Sequence, residues 1–164
     1  MTEIHTDRLI LRKAISGQEK ISLVSQVGDW EVVKWLANVP YPYIYDDLED
    51  YLLISDSNQF DLNIFLGNQL IGRVGLTLDG DNYYDLGYWI GKDYWGKGYA
   101  TESSKKLLEY VLDKLDSPKI KSGYFVDNFS SGNVLKKLGF KEVRVEKRYS
   151  VSNKKEMDLM LVVL

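Results

Sequence analysis

The sequence of 164 residues contains no cysteine and one histidine, His5. The missing cysteine excludes disulfides, thiolate metal sites and cysteine nucleophiles. A single histidine leaves a transition-metal site or a Ser-His-Asp triad without support. No apolar run approaches the roughly 18 residues of a membrane span, and the charged N-terminal residues do not resemble a signal peptide. We therefore expect a cytoplasmic protein that holds no metal and contacts no membrane.

A strong excess of charge is also missing. Lys and Arg number 21 against 24 for Asp and Glu, and the net charge of −3 argues against a broad nucleic-acid surface. Hydrophobic residues at 45% are typical of a soluble globular protein. At this length, we predict one domain over residues 1–164 with a sizeable core.

Hydrophobic periodicity predicts a mixed α+β domain in the order β α α β β β α β α β β. The predicted strands are 7–13, 62–66, 69–78, 83–90, 120–126, 141–149 and 156–163. The predicted helices lie within 17–37 with a break near 28–29, from 46 to 53, from 99 to before 117, and at 131–138. Glu102 and Lys106 stand four residues apart on the polar side of the third of these segments, the spacing of an ion pair.

Two glycines, Gly96 and Gly98, separate the strand-like run 86–90 from the helix that begins near Tyr99. Glycines let a ligand approach the backbone, and a helix N-terminus presents free N–H groups and a partial positive charge. Lys97 adds a full positive charge. Together they predict a cradle for phosphate or pyrophosphate, although a tight turn without a ligand explains the two glycines alone equally well. The segment lacks the patterns of a P-loop and of a dinucleotide fingerprint.

The run from Trp95 to Glu102 closely resembles the acetyl-CoA-binding loop of the GNAT superfamily of N-acetyltransferases. It is most similar to the RimJ/RimL-like branch, which acetylates the N-termini of ribosomal proteins. The segments Thr6–Arg12, Val39–Pro42 and Asn128–Phe140 resemble the same branch in the same order. The resemblance implies the GNAT fold, an α+β domain whose mostly antiparallel sheet splays between its fourth and fifth strands and is flanked by helices.

The same resemblance implies that acetyl-CoA lies in the splay and that particular residues hold it. The implied pyrophosphate contacts are Trp95, Gly96, Lys97, Gly98, Tyr99, Ala100 and Thr101. The implied pantetheine contacts are Tyr88, Trp89 and Ile90 through their backbone and Asn128, with Asn133 and Lys136 facing the cofactor. Trp95 replaces the family's Gln or Arg, which removes one polar contact. Trp89 as a core residue, Lys136 as a solvated charge and Asn128 as a helix-entry residue are the alternatives.

The implied reaction is attack of a neutral amine on a thioester. At pH 7, neutralising an α-amine costs about 1 kcal/mol, whereas a lysine-type amine costs ~4–5 kcal/mol. Asp85 stands where the fourth strand of the family often carries Glu, and it would act as a base through water. The family's usual Tyr acid is replaced by Leu135, and Ser131 stands where this branch places a serine near the leaving sulfur. Asp85 as a solvated strand residue and Ser131 as a helix N-cap remain alternatives.

We therefore predict an acetyl-CoA-dependent N-acetyltransferase that uses direct transfer in a ternary complex, without an acetyl-enzyme intermediate. An α-amine of a peptide or protein is the favoured acceptor. A small amine such as a polyamine, amino-sugar or antibiotic stays open, as do a non-catalytic CoA-binding regulatory module and a homodimer. The acidic residues Asp46, Asp47, Glu49 and Asp50 would either steer a cationic acceptor or form a solvated helix face.

Overall fold

Eight strands form one sheet in the order β1-β2-β3-β4-β5-β6-β8-β7, and the computed structural model describes residues 3–164. The strands are β1 (Glu3–His5), β2 (Leu9–Arg12), β3 (Asp61–Leu66), β4 (Gln69–Leu78), β5 (Tyr84–Ile90), β6 (Ile120–Phe125), β7 (Lys141–Ser150) and β8 (Lys155–Val163). The helices are α1 (Gly17–Val27), α2 (Trp30–Val33), α3 (Tyr45–Ser55), α4 (Tyr99–Lys114) and α5 (Phe129–Lys137). A short 3-10 turn, Lys92–Tyr94, follows β5.

The sheet opens between β5 and β6. Its neighbouring strands pair antiparallel except for these two, which run parallel through only two residue pairs, Tyr84 with Ile120 and Asp85 with Lys121. Beyond those pairs, β5 continues to Ile90 without further strand pairing to β6. The short β1 was not predicted, so β5 and β6 are the fourth and fifth of the predicted strands. The predicted splay is therefore confirmed.

Helices cover both faces of the sheet, and the alternation of β5 side chains tells the two faces apart. Leu86, Tyr88 and Ile90 pack into the larger core with α4 and α5. Trp89 packs into a second core with α1 and α3. Because side chains alternate along a strand, Asp85 and Gly87 share the face of Trp89. We call this the α1/α3 face.

The helix that follows β6 begins two residues earlier than the predicted 131. Asn128 is its N-cap, and the side-chain oxygen of Asn128 accepts a hydrogen bond from the backbone N–H of Ser131. The helix ends before Gly139, whose φ of +96° suits a glycine after a helix C-terminus, as predicted. The earlier start moves Ser131 into the first turn of α5, which excludes it as the N-cap.

The turn between β7 and β8 is fastened to the segment that includes and follows α2. The N–H of Val151 donates to the carbonyl of Ala37 at 2.9 Å, and the hydroxyl of Ser152 donates to the carbonyl of Val33 at 3.1 Å. A third bond runs from the amide of Asn153 to the carbonyl of Lys34 at 2.8 Å. These bonds form a bridge between the far edge of the sheet and the α1/α3 face.

Candidate active site

A cavity of about 1320 Å³ runs from the glycine loop through the splay to the α1/α3 face. Thirteen of the fifteen residues predicted to form the site line it: Asp85, Tyr88, Trp89, Ile90, Trp95, Gly96, Gly98, Tyr99, Ala100, Thr101, Asn128, Ser131 and Asn133. Lys97 and Lys136 are exposed and lie outside the lining, whereas the neighbouring Lys137 lines it. The structure thus brings together residues that are up to 48 positions apart in sequence.

The glycine loop has the conformation that an anion cradle requires. Gly96 and Gly98 have φ values of +73° and +80°, in the left-handed region that favours glycine. Gly98 is also the N-cap of α4, so the free N–H groups of this 16-residue helix face the loop. A Cβ at Gly96 would meet nothing within 4 Å, which leaves room for a ligand above the backbone.

Trp95 fastens this loop to the end of β5. Its indole Nε1–H donates to the carbonyl oxygen of Ile90 at 2.7 Å, and the side chain remains partly exposed. The residue that replaces the family's Gln or Arg therefore has a structural partner of its own. Sequence reasoning missed this role because the partner is a backbone atom.

Glu102, on the first turn of α4, fastens the loop to the chain before β2. It accepts hydrogen bonds from the Thr6 hydroxyl at 2.6 Å, the Arg8 backbone N–H at 3.0 Å and the Arg8 Nε at 2.7 Å. Burial raises the pKa of Glu102, but the bonds from Thr6 and Arg8 outweigh it and hold the pKa below its ordinary value. The expected ion pair with Lys106 does not form, because Glu102 faces Arg8 and Lys106 lies 3.7 Å from Glu109.

The hydrogen bonds of β5 decide which backbone groups face the splay. The N–H of Gly91 donates to the carbonyl of Ile71. Hydrogen-bonded pairs alternate with non-bonded pairs along antiparallel strands, so Arg73 and Trp89 form the next hydrogen-bonded pair. The N–H and C=O of Trp89 therefore point toward β4. The expectation that the Trp89 backbone pairs with pantetheine is corrected accordingly, and its side chain belongs to the second core. Tyr88 and Ile90 face the splay instead.

The backbone groups of β5 that face the splay differ in what they still offer. The carbonyl of Leu86 accepts from the hydroxyl of Ser122 at 2.7 Å, and the carbonyl of Ile90 is occupied by Trp95. Tyr88 lies between them, past the last β5–β6 pair. Its N–H and C=O are therefore the main-chain groups best placed for strand-like pairing with an extended ligand arm.

Two hydroxyl groups meet inside the cavity. Tyr88 Oη and Ser131 Oγ lie 2.8 Å apart, and Tyr88 Oη also lies 3.3 Å from the Ser131 carbonyl oxygen. Burial raises the pKa of Tyr88 to about 12, against a smaller opposing effect of the Ser131 bond. The phenol therefore keeps its proton at neutral pH. Leu135, which replaces the family's Tyr, lies on α5 and is fully buried.

Asp85 presents a carboxylate to the cavity from the α1/α3 face. Its side chain makes no hydrogen bond or ion pair within residues 3–164, because the neighbouring Lys121 pairs with Asp79. Burial raises the pKa of Asp85, and the charges of Lys121 and Arg148 offset part of this rise. A carboxylate with a raised pKa and no fixed partner is suited to accept a proton.

The predicted acidic cluster divides into two parts. Asp47 and Asp50 line the cavity, whereas Asp46 and Glu49 do not. Glu49 instead pairs with Lys20 at 2.8 Å. Only half of the cluster can therefore act on a molecule inside the cavity.

The sequence matches the family described as Acetyltransferase (GNAT) domain over residues 8–141. The chain belongs to the GNAT acetyltransferases. The matched range includes β2 through α5, and so the glycine loop, the splay and both hydroxyl groups. The predicted enzyme class, an acetyl-CoA-dependent N-acetyltransferase, is confirmed.

Known acetyltransferases match nearly the whole length of this chain. "Uncharacterized N-acetyltransferase p20" of Bacillus licheniformis is 26% identical over 172 residues, which cover 100% of this chain and 96% of p20. The fold also matches the structure of an acetyltransferase that modifies the N-terminal serine of ribosomal protein L7/L12 from Salmonella typhimurium, with a TM-score of 0.80, 17% identity and coverage of 99% and 98%.

A second solved structure has its ligands bound. The microcin C7 self-immunity acetyltransferase MccE, in complex with acetyl-CoA and AMP, matches with a TM-score of 0.80, 21% identity and coverage of 97% of this chain and 93% of MccE. The description of the first structure names a protein N-terminus as the acceptor, whereas that of the second names only acetyl-CoA and AMP as bound molecules. A shared fold does not by itself specify an acceptor.

Metal-ligand clusters and membrane-spanning helices are absent from the part of the chain that the structure describes. No three or more His, Asp or Glu side chains within residues 3–164 cluster as metal ligands. No helix in that range is both long and apolar enough to cross a lipid bilayer.

Proposed function

We propose that this GNAT enzyme transfers acetyl from acetyl-CoA to the α-amine of a peptide or protein, directly within a ternary complex. The observation that carries the proposal is the single cavity that joins the glycine loop, the Tyr88–Ser131 hydroxyl pair and the unpaired carboxylate of Asp85. The L7/L12-modifying enzyme of similar fold supports this class of acceptor. A single domain over 1–164 and a cytoplasmic location belong to the same proposal.

The cofactor end of the cavity would hold acetyl-CoA. The pyrophosphate would lie on Gly96, Gly98 and the N-terminus of α4, where N–H groups and the helix dipole favour negative charge. The pantetheine arm would pair with the backbone of Tyr88 in the open part of the splay. The thioester would then lie near the end of the splay, between Ser131 on one face and Asp85 on the other.

The reaction needs a neutral amine and a way to stabilise the leaving thiolate. Asp85 would take the proton of the amine, directly or through a water molecule, which suffices for an α-amine because its neutralisation costs only about 1 kcal/mol. Ser131 would donate a hydrogen bond to the leaving sulfur, and the protonated phenol of Tyr88 would hold the Ser131 hydroxyl in place. The absence of cysteine removes the best acyl-accepting nucleophile and supports direct transfer.

The test measures release of free CoA thiol from acetyl-CoA with alaninamide as the acceptor, together with the mass of the product. We expect thiol release that depends on alaninamide and yields its N-acetyl form. N-acetylalaninamide is the matched control, because it has the same shape near the carbonyl but no free amine. A protein that binds CoA but releases no CoA thiol from acetyl-CoA with any amine acceptor would be a regulatory module instead.

A second outcome would favour the small-amine alternative. Transfer to spermidine or an amino-sugar at a kcat/KM above that for alaninamide and for short peptides would contradict the α-amine proposal. That result would leave the N-acetyltransferase class unchanged and would contradict only the proposed class of acceptor.

A further inference from the structure

The strand β7 forms an edge of the sheet and is long enough to accept another strand. In the sheet order it has β8 on one side, and none of the other described strands lies on its other side. It runs for ten residues, Lys141–Ser150, whereas β1 at the opposite edge has three. Short edge strands resist pairing with another chain, and a long exposed edge favours it. The open edge of β7 is therefore a candidate interaction surface.

Apolar side chains lie exposed along this edge. Val143, Val145 and Tyr149 are about half exposed, at 49%, 50% and 54%. A lysine on an edge strand discourages pairing, but Lys147 already has an ion partner, because its ammonium lies 2.6 Å from the carboxylate of Asp158 on β8. The edge thus combines exposed apolar groups with a lysine whose charge is paired with the strand behind it.

The hydrogen bonds of β8 show which backbone groups of β7 face the open edge. The N–H of Val126 donates to the carbonyl of Asp158 at 3.0 Å, so the backbone N–H and C=O of Asp158 point toward β6. These directions alternate along a strand, so those of Leu159 point toward β7, where Leu159 pairs with Glu146. The N–H and C=O of Glu146 are therefore bonded to β8. Those of Val145, one residue earlier, point to the open edge.

The charges of β7 decide how a second copy of this strand can pair with it. With a two-fold axis at Val145, an antiparallel pair places Arg144 opposite Glu146 of the second copy on both sides of the axis. Arg144 and Glu146 share one face of the sheet and occupy the non-hydrogen-bonded positions of such a pair, where side chains lie closest. An axis at Arg144, Glu146 or Lys147 instead puts two like charges directly opposite each other. Among these four axes, only the one at Val145 pairs opposite charges without a like-charge contact.

We propose that β7 pairs antiparallel with β7 of a second copy of this chain, centred on Val145, and joins the two sheets into one. The partner is the chain itself, because the charges on either side of Val145 complement their own reversed order. Arg144 and Glu146 also line the cavity, so the pairing brings the same residues of the second copy to the border of each cavity. The inference does not depend on the acceptor or on the proposed function.

Charge reversal with rescue tests the pairing and its register together, by sedimentation equilibrium. We expect the wild type to show a monomer–dimer equilibrium. Arg144→Glu puts two carboxylates opposite each other on both sides of the axis, and Glu146→Arg does the same with two guanidinium groups. Each single variant should therefore dimerise at least roughly tenfold more weakly. The double variant restores opposite charges and should recover most of the wild-type affinity. Lys105→Glu, at an exposed position on α4, changes the net charge as much as Arg144→Glu and should have no effect.

The lack of cysteine in the sequence allows the register to be measured directly. In Val145→Cys the two introduced thiols would face each other across the axis, with Cα atoms about 5.5 Å apart, a separation that a disulfide spans. Oxidised glutathione should therefore crosslink this variant into a covalent dimer. Tyr149→Cys is the matched control, because position 149 is similarly exposed on the same face of β7. Its two copies would lie about 26 Å apart and should not crosslink.

Each result supports or overturns the inference. A wild type that stays monomeric at every soluble concentration would overturn it, as would a dimer that neither single charge reversal weakens. If the reversed variants do not fold, the crosslinking decides: equal rates for Val145→Cys and Tyr149→Cys would contradict the register. A wild type that dimerises through β7 but acetylates no amine would overturn the proposed function and leave this inference intact.

Discussion

The indole N–H of Trp95 is hydrogen-bonded to the carbonyl oxygen of Ile90 at 2.7 Å. This bond joins the start of the glycine loop to the last residue of β5. The two parts of the site that would contact the pyrophosphate and the pantetheine are thereby held in a fixed relation. A side chain that donates a hydrogen bond to the protein backbone can thus support cofactor binding without contacting the phosphates.

Trp95→Phe removes this N–H donor and retains an aromatic ring. We expect CoA to bind about threefold to tenfold more weakly, because a typical hydrogen bond contributes ~0.5–1.5 kcal/mol. Calorimetry with CoA measures the effect. Trp30→Phe is the control, since Trp30 is an exposed indole outside the cavity lining. Equal affinities for wild type and Trp95→Phe would contradict the role of the bond.

Gly98→Ala tests the pyrophosphate cradle, with Gly67→Ala as its matched control. Both glycines have left-handed φ values, +80° and +58°, so both substitutions should lower the free energy of unfolding by about 1–2 kcal/mol. Gly67 lies in the β3–β4 turn and does not line the cavity. Only Gly98→Ala should weaken CoA binding, because Gly98 lines the cavity in the proposed cradle and Gly67 does not. Denaturant unfolding and calorimetry separate the two effects, and an equal CoA affinity in both variants would rule out the cradle.

Ser131→Ala should lower kcat by roughly a hundredfold, the scale of one proton-transfer or hydrogen-bonding group. It should change CoA affinity and melting temperature little, because Asn128 and not Ser131 caps α5. Asn128→Ala provides the contrast and should cost about 1 kcal/mol of stability. Parallel double-reciprocal plots, or an acetylated protein trapped with acetyl-CoA, would show that direct transfer is incorrect.

Asp85→Asn should change activity and stability in opposite directions. The carboxylate is the form that accepts a proton, so kcat/KM should fall as pH drops through the raised pKa of Asp85, and the variant should lose this acidic limb. Burial disfavours the charged form, so Asp85 costs stability above its folded pKa. At pH 7 the variant should therefore melt at a higher temperature than the wild type. The gain should vanish below about pH 3.9, the ordinary Asp pKa, where both side chains are neutral. A melting difference that does not depend on pH would contradict this.

Local patterns predicted most of the helices and strands, because alternation and glycine placement are properties of neighbouring residues. The predicted site residues came instead from the resemblance to the GNAT superfamily. The contacts that join distant segments were not predictable in the same way. Glu102 was expected to pair within its helix, yet its partner Arg8 lies 94 positions away. The i, i+4 spacing within a helix cannot predict a competing partner that the tertiary structure brings close.

Arg73 was not recognised as a cavity-lining residue, although the sequence carried a signal for it. It stands between Gly72 and Val74 in the otherwise apolar stretch 70–76, where a charge has to be paired. A glycine inside a strand pattern, such as Gly72, indicates a bulge or a close neighbour. A Cβ there would collide with the carbonyl oxygen of Trp89, and the β3–β4 register shifts beside it. What the sequence could not supply was the identity of the ion partner, Asp61.

The hydrogen bonds from the β7–β8 turn to the carbonyls of Val33, Lys34 and Ala37 close an arch of main chain over the part of the cavity that would hold the acceptor. Val32 and residues 35–39 line the cavity on the side of these bonds, and Gly87 and Leu161 line it from the sheet. A free chain end can thread beneath such an arch, whereas the middle of a folded chain would have to break it. If the acceptor is the proposed α-amine, this covered path would favour a chain terminus over the middle of a folded chain.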